Sequence, residues 1–217
     1  MNRLLIATTN PGKLGEIKEF LTDIPVTLVG LEDVGITVAP EETGISFEEN
    51  AILKAKFYAE KSKLPTLADD GGLEIDALNG EPGVKSHRWI HDDREDTDEE
   101  LIQYTLDRMK DVPDANRGAQ LRLVLALVLP GGLPAIPAVR RWQAGEVFTS
   151  EEKVRGIIPR EASKNRWKGF PYRSLLFLPE INKYYNHDEL TPAQTETYNH
   201  RKKALEILKP VLKLKLC

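Results

Sequence analysis

An α/β protein with a long central mixed sheet and flanking helices is predicted by three features of the sequence. Short apolar runs stop at clusters of small hydrogen-bonding residues. Segments of helical period separate those runs. The longest apolar run, "LRLVLALVLP" at 121–130, is long enough for a central strand, covered on both faces.

The elements follow in order. Leu4–Ala7 reads as a short buried strand. From Lys13 the spacing of Leu14, Ile17, Phe20 and Leu21 predicts a helix that ends before Pro25. Residues 26–39 are rich in Val and Thr and read as strand and loop. "EETGISFEENAILKAKFYAEKS" (41–62) reads as a loop running into a helix whose apolar face is Ala51, Ile52, Ala55, Tyr58 and Ala59. "LPTLADDGG" (64–72) is a short strand expected to stop at its two aspartates. "DEELIQYTLDRMK" (98–110) is helical through Leu101, Ile102, Thr105, Leu106 and Met109. Residues 140–148 are expected to pair with 121–130 as a hairpin, across Gly131, Gly132 and Pro134. Residues 149–190 carry no clear period. The C-terminal "HRKKALEILKPVLKLKL" is an amphipathic helix through Ala204, Leu205, Leu208 and Leu212, bent or broken at Pro210.

The chain's 217 residues are read as a single domain, 1–217. A net charge of −4 gives no support for a nucleic-acid surface, but leaves small anionic substrates open, because local charge governs those. Cys217 is the lone cysteine, so no disulfide or cysteine metal site forms within one chain, and a reducing cytoplasm fits. No leader segment and no membrane span are expected.

Chemistry gathers at the strand ends. In "TTNPGK" (8–13), Thr8, Thr9 and Asn10 offer side-chain donors. Gly12 allows close backbone approach, and Lys13 adds a full charge at a helix N-terminus. This could cradle a phosphate, and it equally describes an ordinary N-cap followed by a surface lysine. In "ADDGG" (68–72) two carboxylates sit where α/β sheets bind ligands, although an Asp-Gly turn reads the same way. Adjacent strand residues face opposite ways, so one aspartate can face a site while the other braces the loop. Glu42 lies just before a helix that carries Asn50 and Lys54 on one face, and Lys54 alone would pass for a solvated residue. Phosphate-binding groups with an Asp and a Glu suggest Mg2+, a hard ion that takes oxygen ligands. The acidic run "HDDREDTDEE" (91–100) reads as a solvated loop and the acidic first turn of a helix.

Together "TTNPGK", "EETGISFEENAILKA", "LADDGGLEIDALNGEPGV" and "NHRKKAL" resemble the inosine triphosphate pyrophosphatase family. The likeness is dense over residues 3–90 and returns at 169–208. It implies a two-lobed fold with a nucleotide-binding cleft, a homodimer, and a cytoplasmic, Mg2+-dependent enzyme. That enzyme would hydrolyse aberrant purine nucleoside triphosphates such as ITP, dITP and XTP to the monophosphate and pyrophosphate. By the resemblance, Asn10 and Lys13 match the phosphate loop, and Glu42 and Asp70 the metal and catalytic positions. Asp70 matches the general base, and Lys54 a lysine near the phosphates. His200 and Arg201 match a pair that closes over the nucleotide, while Phe170, Tyr172 and Arg173 fall in the base-reading motif.

The sequence departs from the family pattern where Gly71 replaces serine, Pro171 glycine, Arg173 aspartate, Thr195 lysine and Asn199 serine. The phosphate half is therefore expected to be intact and the base-reading half altered. Two other readings stay open: the same chemistry on a different base, and a nucleotide-binding module with little catalysis.

Overall fold

The structure is a computed structural model that describes residues 2–91, 93–131 and 145–217. The described residues form seven strands and five α-helices: strand and helix alternate as far as the fourth strand, three more strands follow, and then two helices. The strands, β1 (Arg3–Ile6), β2 (Thr27–Val29), β3 (Thr66–Ile75), β4 (Gly118–Val128), β5 (Val147–Ile157), β6 (Phe177–Leu178) and β7 (Lys183–Tyr184), form one sheet in the order β2-β1-β3-β4-β5-β6-β7. β1 runs parallel to β2 and β3, with Ile6 opposite Leu67, whereas β6 is antiparallel to both β5 and β7, so the sheet is mixed. The apolar β4 takes the fourth, central place, as its composition predicts.

The chain divides into two compact units. The first comprises residues 1–70, 124–151 and 204–217, and the second residues 71–123 and 152–203. In the first, helices α1 (Pro11–Phe20) and α2 (Phe47–Ser62) follow β1 and β2. Its core packs Ala51, Ala55 and Ala59 of α2 with Leu5, Val29 and Val124 from three strands. Alanines along that helix face admit a close approach to the sheet. In the second, α3 (Asp98–Arg108) contributes Leu101 and Ile102 to a core with Leu73, Leu121, Leu175 and Tyr185.

Local chemistry sets the helix ends. α1 begins two residues before the expected start, because Asn10 caps it and Pro11 at the first position supplies a preset φ. It ends at Phe20, short of Pro25. Ser46 caps α2. Thr97 with Glu100 and Thr191 with Gln194 form capping boxes at α3 and at α4 (Pro192–Tyr198). The last helix, α5 (His200–Leu216), runs through Pro210 without a break.

β3 overturns one expectation. It does not stop at the aspartates but continues through Asp69, Asp70 and both glycines to Ile75. Gly71 and Gly72 are a fit to crowding here, not a turn. A Cβ on Gly71 would come within 2.4 Å of the Arg122 backbone oxygen, and one on Gly72 within 1.8 Å of Ser86 Oγ. The family serine at position 71 is thus excluded by the neighbouring strand. The region 149–190, which showed no period, begins with a long strand. β5 turns only Ser150, Val154 and Gly156 fully inward among charged residues. The expected hairpin partner over 140–148 lies outside the described residues as far as 144, as do Gly132 and Pro134. From Val147 onward the pairing is seen, with the Leu129 amide donating to the Glu146 carbonyl at 3.0 Å.

Candidate active site

In the first unit, β1 and β3 set the geometry. The Ala7 amide donates to the Leu67 carbonyl at 2.8 Å, so Thr8 and the start of α1 lie beside the strand just before Asp69 and Asp70. Lys13 Nζ lies 3.0 Å from Asp69 Oδ2, and that carboxylate is almost fully buried. Lys54, on α2, donates to Asp70 Oδ1 at 2.7 Å and lies 3.4 Å from Glu42 Oε1. The Glu42 loop is pinned where the Gly44 amide donates to Oδ1 of buried Asn50 at 2.8 Å. Lys13, Glu42, Lys54 and Asp70 therefore come together as expected. Asp69 joins them as the partner of Lys13, a role that a pair of adjacent carboxylates only hints at.

The turn at 8–13 differs from an open backbone cradle. Pro11 has no N–H, and Asn10 Oδ1 accepts from both the Gly12 and Lys13 amides, at 2.9 and 3.2 Å. The amides of this first turn are thus spent on the cap. Affinity for an anion falls to Lys13 and to the side chains of half-buried Thr8 and exposed Thr9.

Three carboxylates face two ammonium groups, and burial sharpens the imbalance. Burial pushes the Asp70 carboxyl above its ordinary value. Lys54 and Lys13 pull it back without cancelling the rise, and Glu42 adds to it. Burial works against the charge on Lys54, yet Asp70, Glu42 and Asp69 outweigh it and raise its pKa. The result is a firmly held cation between Asp70 and Glu42 and a carboxylate with enhanced affinity for a proton. A divalent metal fits this set: the donors are all carboxylate oxygens, negative charge is in excess, and an ammonium already bridges Glu42 and Asp70.

Among the described residues, the three acidic or histidine side chains whose ligand atoms lie within 4.8 Å of one another are His91, Asp96 and Glu100, not the carboxylates around Lys54. The oxygens of this trio serve the start of α3. Asp96 accepts from His91 Nδ1 and the Ile90 amide, and Glu100 from Arg94 and Thr97.

The second unit holds the aromatic set. Buried Arg173 places its guanidinium carbon 4.3 Å from the ring centre of Phe170, 5.1 Å from Trp167 and 5.3 Å from Tyr185. Arg201 stands 5.8 Å from the Phe170 ring centre. The Tyr185 hydroxyl lies 2.8 Å from His200 Nδ1 and accepts from the His200 amide at 3.3 Å. Phe170, Arg173, His200 and Arg201 thus form one group. Tyr172 is placed otherwise: it belongs to the core, and its hydroxyl donates to the Ser86 carbonyl at 2.6 Å. Burial raises its pKa further. Trp167 was not anticipated, although its spacing from Phe170 in "WKGF" was a signal.

The acidic run also does more than face solvent. Asp98 accepts from the Gly169 amide at 2.7 Å, and Glu99 from Arg166 at 2.8 Å, so the first turn of α3 holds the loop that carries Trp167 and Phe170. Gly169 takes φ +81°, a value that glycine reaches without strain.

The Ham1 family matches residues 4–211. The chain belongs to the Ham1 family. Among relatives of this Ham1-family chain, the dITP/XTP pyrophosphatase of Nocardia farcinica is 38% identical over 98% of the chain and 95% of its own length. That of Escherichia coli K12 is 36% identical over 98% and 99%. A HAM1 protein from Coxiella burnetii has the same fold, with a TM-score of 0.78, 33% identity and 98% of each chain covered. No helix among the described residues is long and apolar enough to cross a membrane.

Proposed function

We propose that this Ham1-family chain is a Mg2+-dependent pyrophosphatase of aberrant purine nucleoside triphosphates, with ITP, dITP and XTP as substrates and the monophosphate and pyrophosphate as products. The observation that carries this reading is the paired cluster Lys13–Asp69 and Lys54–Asp70–Glu42. The names of its relatives point to the same reaction.

Lys13 and Lys54 neutralise phosphate oxygens, which gain charge as the anhydride breaks. Asp70, with its raised proton affinity, orients a water and accepts its proton as the new P–O bond forms. Pyrophosphate leaves with the electrons of the broken anhydride bond. Asp69 holds Lys13 in place, and Asn50 holds the Glu42 loop. Glu42 and Asp70 would hold Mg2+, which would add to the neutralisation of the phosphate charge. Thr8 and Thr9 line the phosphate end of this reading, while Asn10 and Gly12 serve the cap that places Lys13. Phe170, Arg173, His200 and Arg201 recognise the base, which stacks on the ring of Phe170, a contact worth ~1–3 kcal/mol. The reading also carries a cytoplasmic role in cleansing the nucleotide pool and a homodimer, which light scattering on the purified protein checks.

The test is pyrophosphate release from ITP, dITP, XTP, GTP and ATP, with Mg2+ and after chelation. The expected result is turnover of the deaminated substrates that chelation abolishes. Tight binding without turnover in any condition identifies a nucleotide-binding module instead.

A further inference from the structure

Resting on the reading of a Mg2+-dependent site, we propose that Lys54 is a resident counter-ion, which keeps divalent cations off Glu42 and Asp70 until a nucleotide's phosphates draw it away. Lys54 Nζ lies 2.7 Å from Asp70 Oδ1 and 3.4 Å from Glu42 Oε1, so it spans the two carboxylates that would hold the metal. The three partners are not equally fixed. Asp70 belongs to β3, between Leu67 and Leu73, which are both fully buried. Glu42 stands just ahead of a fastened stretch of loop. There the Gly44 amide donates to Asn50 Oδ1 and the Ile45 amide to Glu49 Oε2, each at 2.8 Å. Lys54 carries its charge on a flexible four-carbon stem. When a second cation arrives, the lysine yields and the carboxylates stay.

Charge and ligand number both set this order. Lys13 and Lys54 face Asp69, Asp70 and Glu42, which leaves one negative charge over. A divalent cation alone would turn that surplus positive, with an ammonium at contact range. Like charges so close repel strongly in a site withdrawn from water. Mg2+ also takes six oxygens at about 2.1 Å. Among the described residues, no third acidic or histidine side chain groups with Glu42 and Asp70 within 4.8 Å. A triphosphate changes both sums. It brings several negative charges and oxygens that ligate metal, and it offers Lys54 a new partner. The divalent cation is therefore accepted together with the nucleotide and not before it. The ammonium passes from Asp70 to the phosphates, where the reaction uses it, and the Asp70 carboxylate is freed in the same move.

The experiment reads Mn2+ binding to the nucleotide-free full chain by electron paramagnetic resonance, with Mn2+ in place of Mg2+. ITP binding is read in parallel by calorimetry in the presence of a chelator. Lys54→Met and Lys54→Gln are expected to bind Mn2+ roughly ten- to a hundredfold more tightly than the unaltered chain, since a like charge is gone. The same variants are expected to bind ITP about tenfold more weakly, for want of one charged hydrogen bond. A lysine that only packs would not move the two affinities in opposite directions. Lys54→Arg keeps the charge and is expected to gain no Mn2+ affinity. Adding Glu42→Gln to Lys54→Gln is expected to abolish the gain. If neither neutral variant binds Mn2+ more tightly, the proposal is overturned. A gain in Lys54→Arg as large as in Lys54→Met overturns it too, as does a gain that survives Glu42→Gln, because the metal then sits elsewhere. Should Lys54→Met fail to fold, an unchanged Mn2+ affinity in Lys54→Gln overturns it alone. Tighter Mn2+ binding with no pyrophosphate release from any triphosphate sinks the pyrophosphatase reading and leaves the counter-ion standing. Mg2+-dependent turnover with no gain in either neutral variant sinks the counter-ion alone.

Discussion

Lys54 links two carboxylates that lie far apart in sequence, and Lys13 holds a third. These few side chains bear unequal burdens. Asp70→Asn removes the proton acceptor and leaves Lys54 paired with Glu42, so the fold is expected to persist. The rate of pyrophosphate release is expected to fall by about 10²–10⁴. Unchanged far-UV circular dichroism with that loss supports the role, and near-normal turnover removes it. Asp69→Asn leaves Lys13 without its anchor. KM is expected to rise by about tenfold, with a smaller loss in kcat, since one charged hydrogen bond is at stake. Equal loss in kcat and kcat/KM would instead make Asp69 part of the chemical step.

The first turn of α3 acts on the aromatic loop from outside it. Asp98→Ala removes the acceptor of the Gly169 amide and is expected to cost about 1–2 kcal/mol of stability. It should also raise KM for the nucleotide more than it lowers kcat, and thermal melts with steady-state kinetics check both. Asp23 ties α1's exit to α5 through Lys209 and Lys213. Those two lysines hold its carboxyl at about 2, below the ordinary 3.8, so the charged form favours the folded chain. Its contribution is complete above pH 3.8 and is lost as pH falls toward 2. Asp23→Asn is therefore expected to flatten the acid limb of stability in that window, as read from melting temperatures across pH. The helices were legible from their period: Ala51, Ala55, Tyr58 and Ala59 on α2 and Leu101, Ile102 and Thr105 on α3 are buried as their spacing requires. β5 was not legible, since an alternation of inward Ser150, Val154 and Gly156 with charged residues gives no apolar signature. β3 was misread at its end because paired glycines signal turns, whereas here they answer crowding from Arg122 and Ser86. Lys13 could be read ahead because it lies in the first turn of a helix, whereas Lys54 and Asp70, in the interiors of α2 and β3, stood out only beside their neighbours and through the resemblance. The ring cage around Arg173 could not, because Tyr185 joins Phe170 only through tertiary packing.

Each unit has its own hydrophobic core, yet β3 and β4 each contribute residues to both. A strand cannot lose half its length cheaply, so the whole chain is expected to unfold in one step. Tryptophan fluorescence and far-UV circular dichroism should then give superimposable transitions in urea; two separated midpoints would show the units melting independently. The same continuity constrains what protein engineering can do with this enzyme. The backbone of β4 leaves no room for any side chain at Gly71. Saturation mutagenesis there should return glycine alone among soluble clones. Introducing a serine hydroxyl there is thus a mutational dead end unless β4 is redesigned with it.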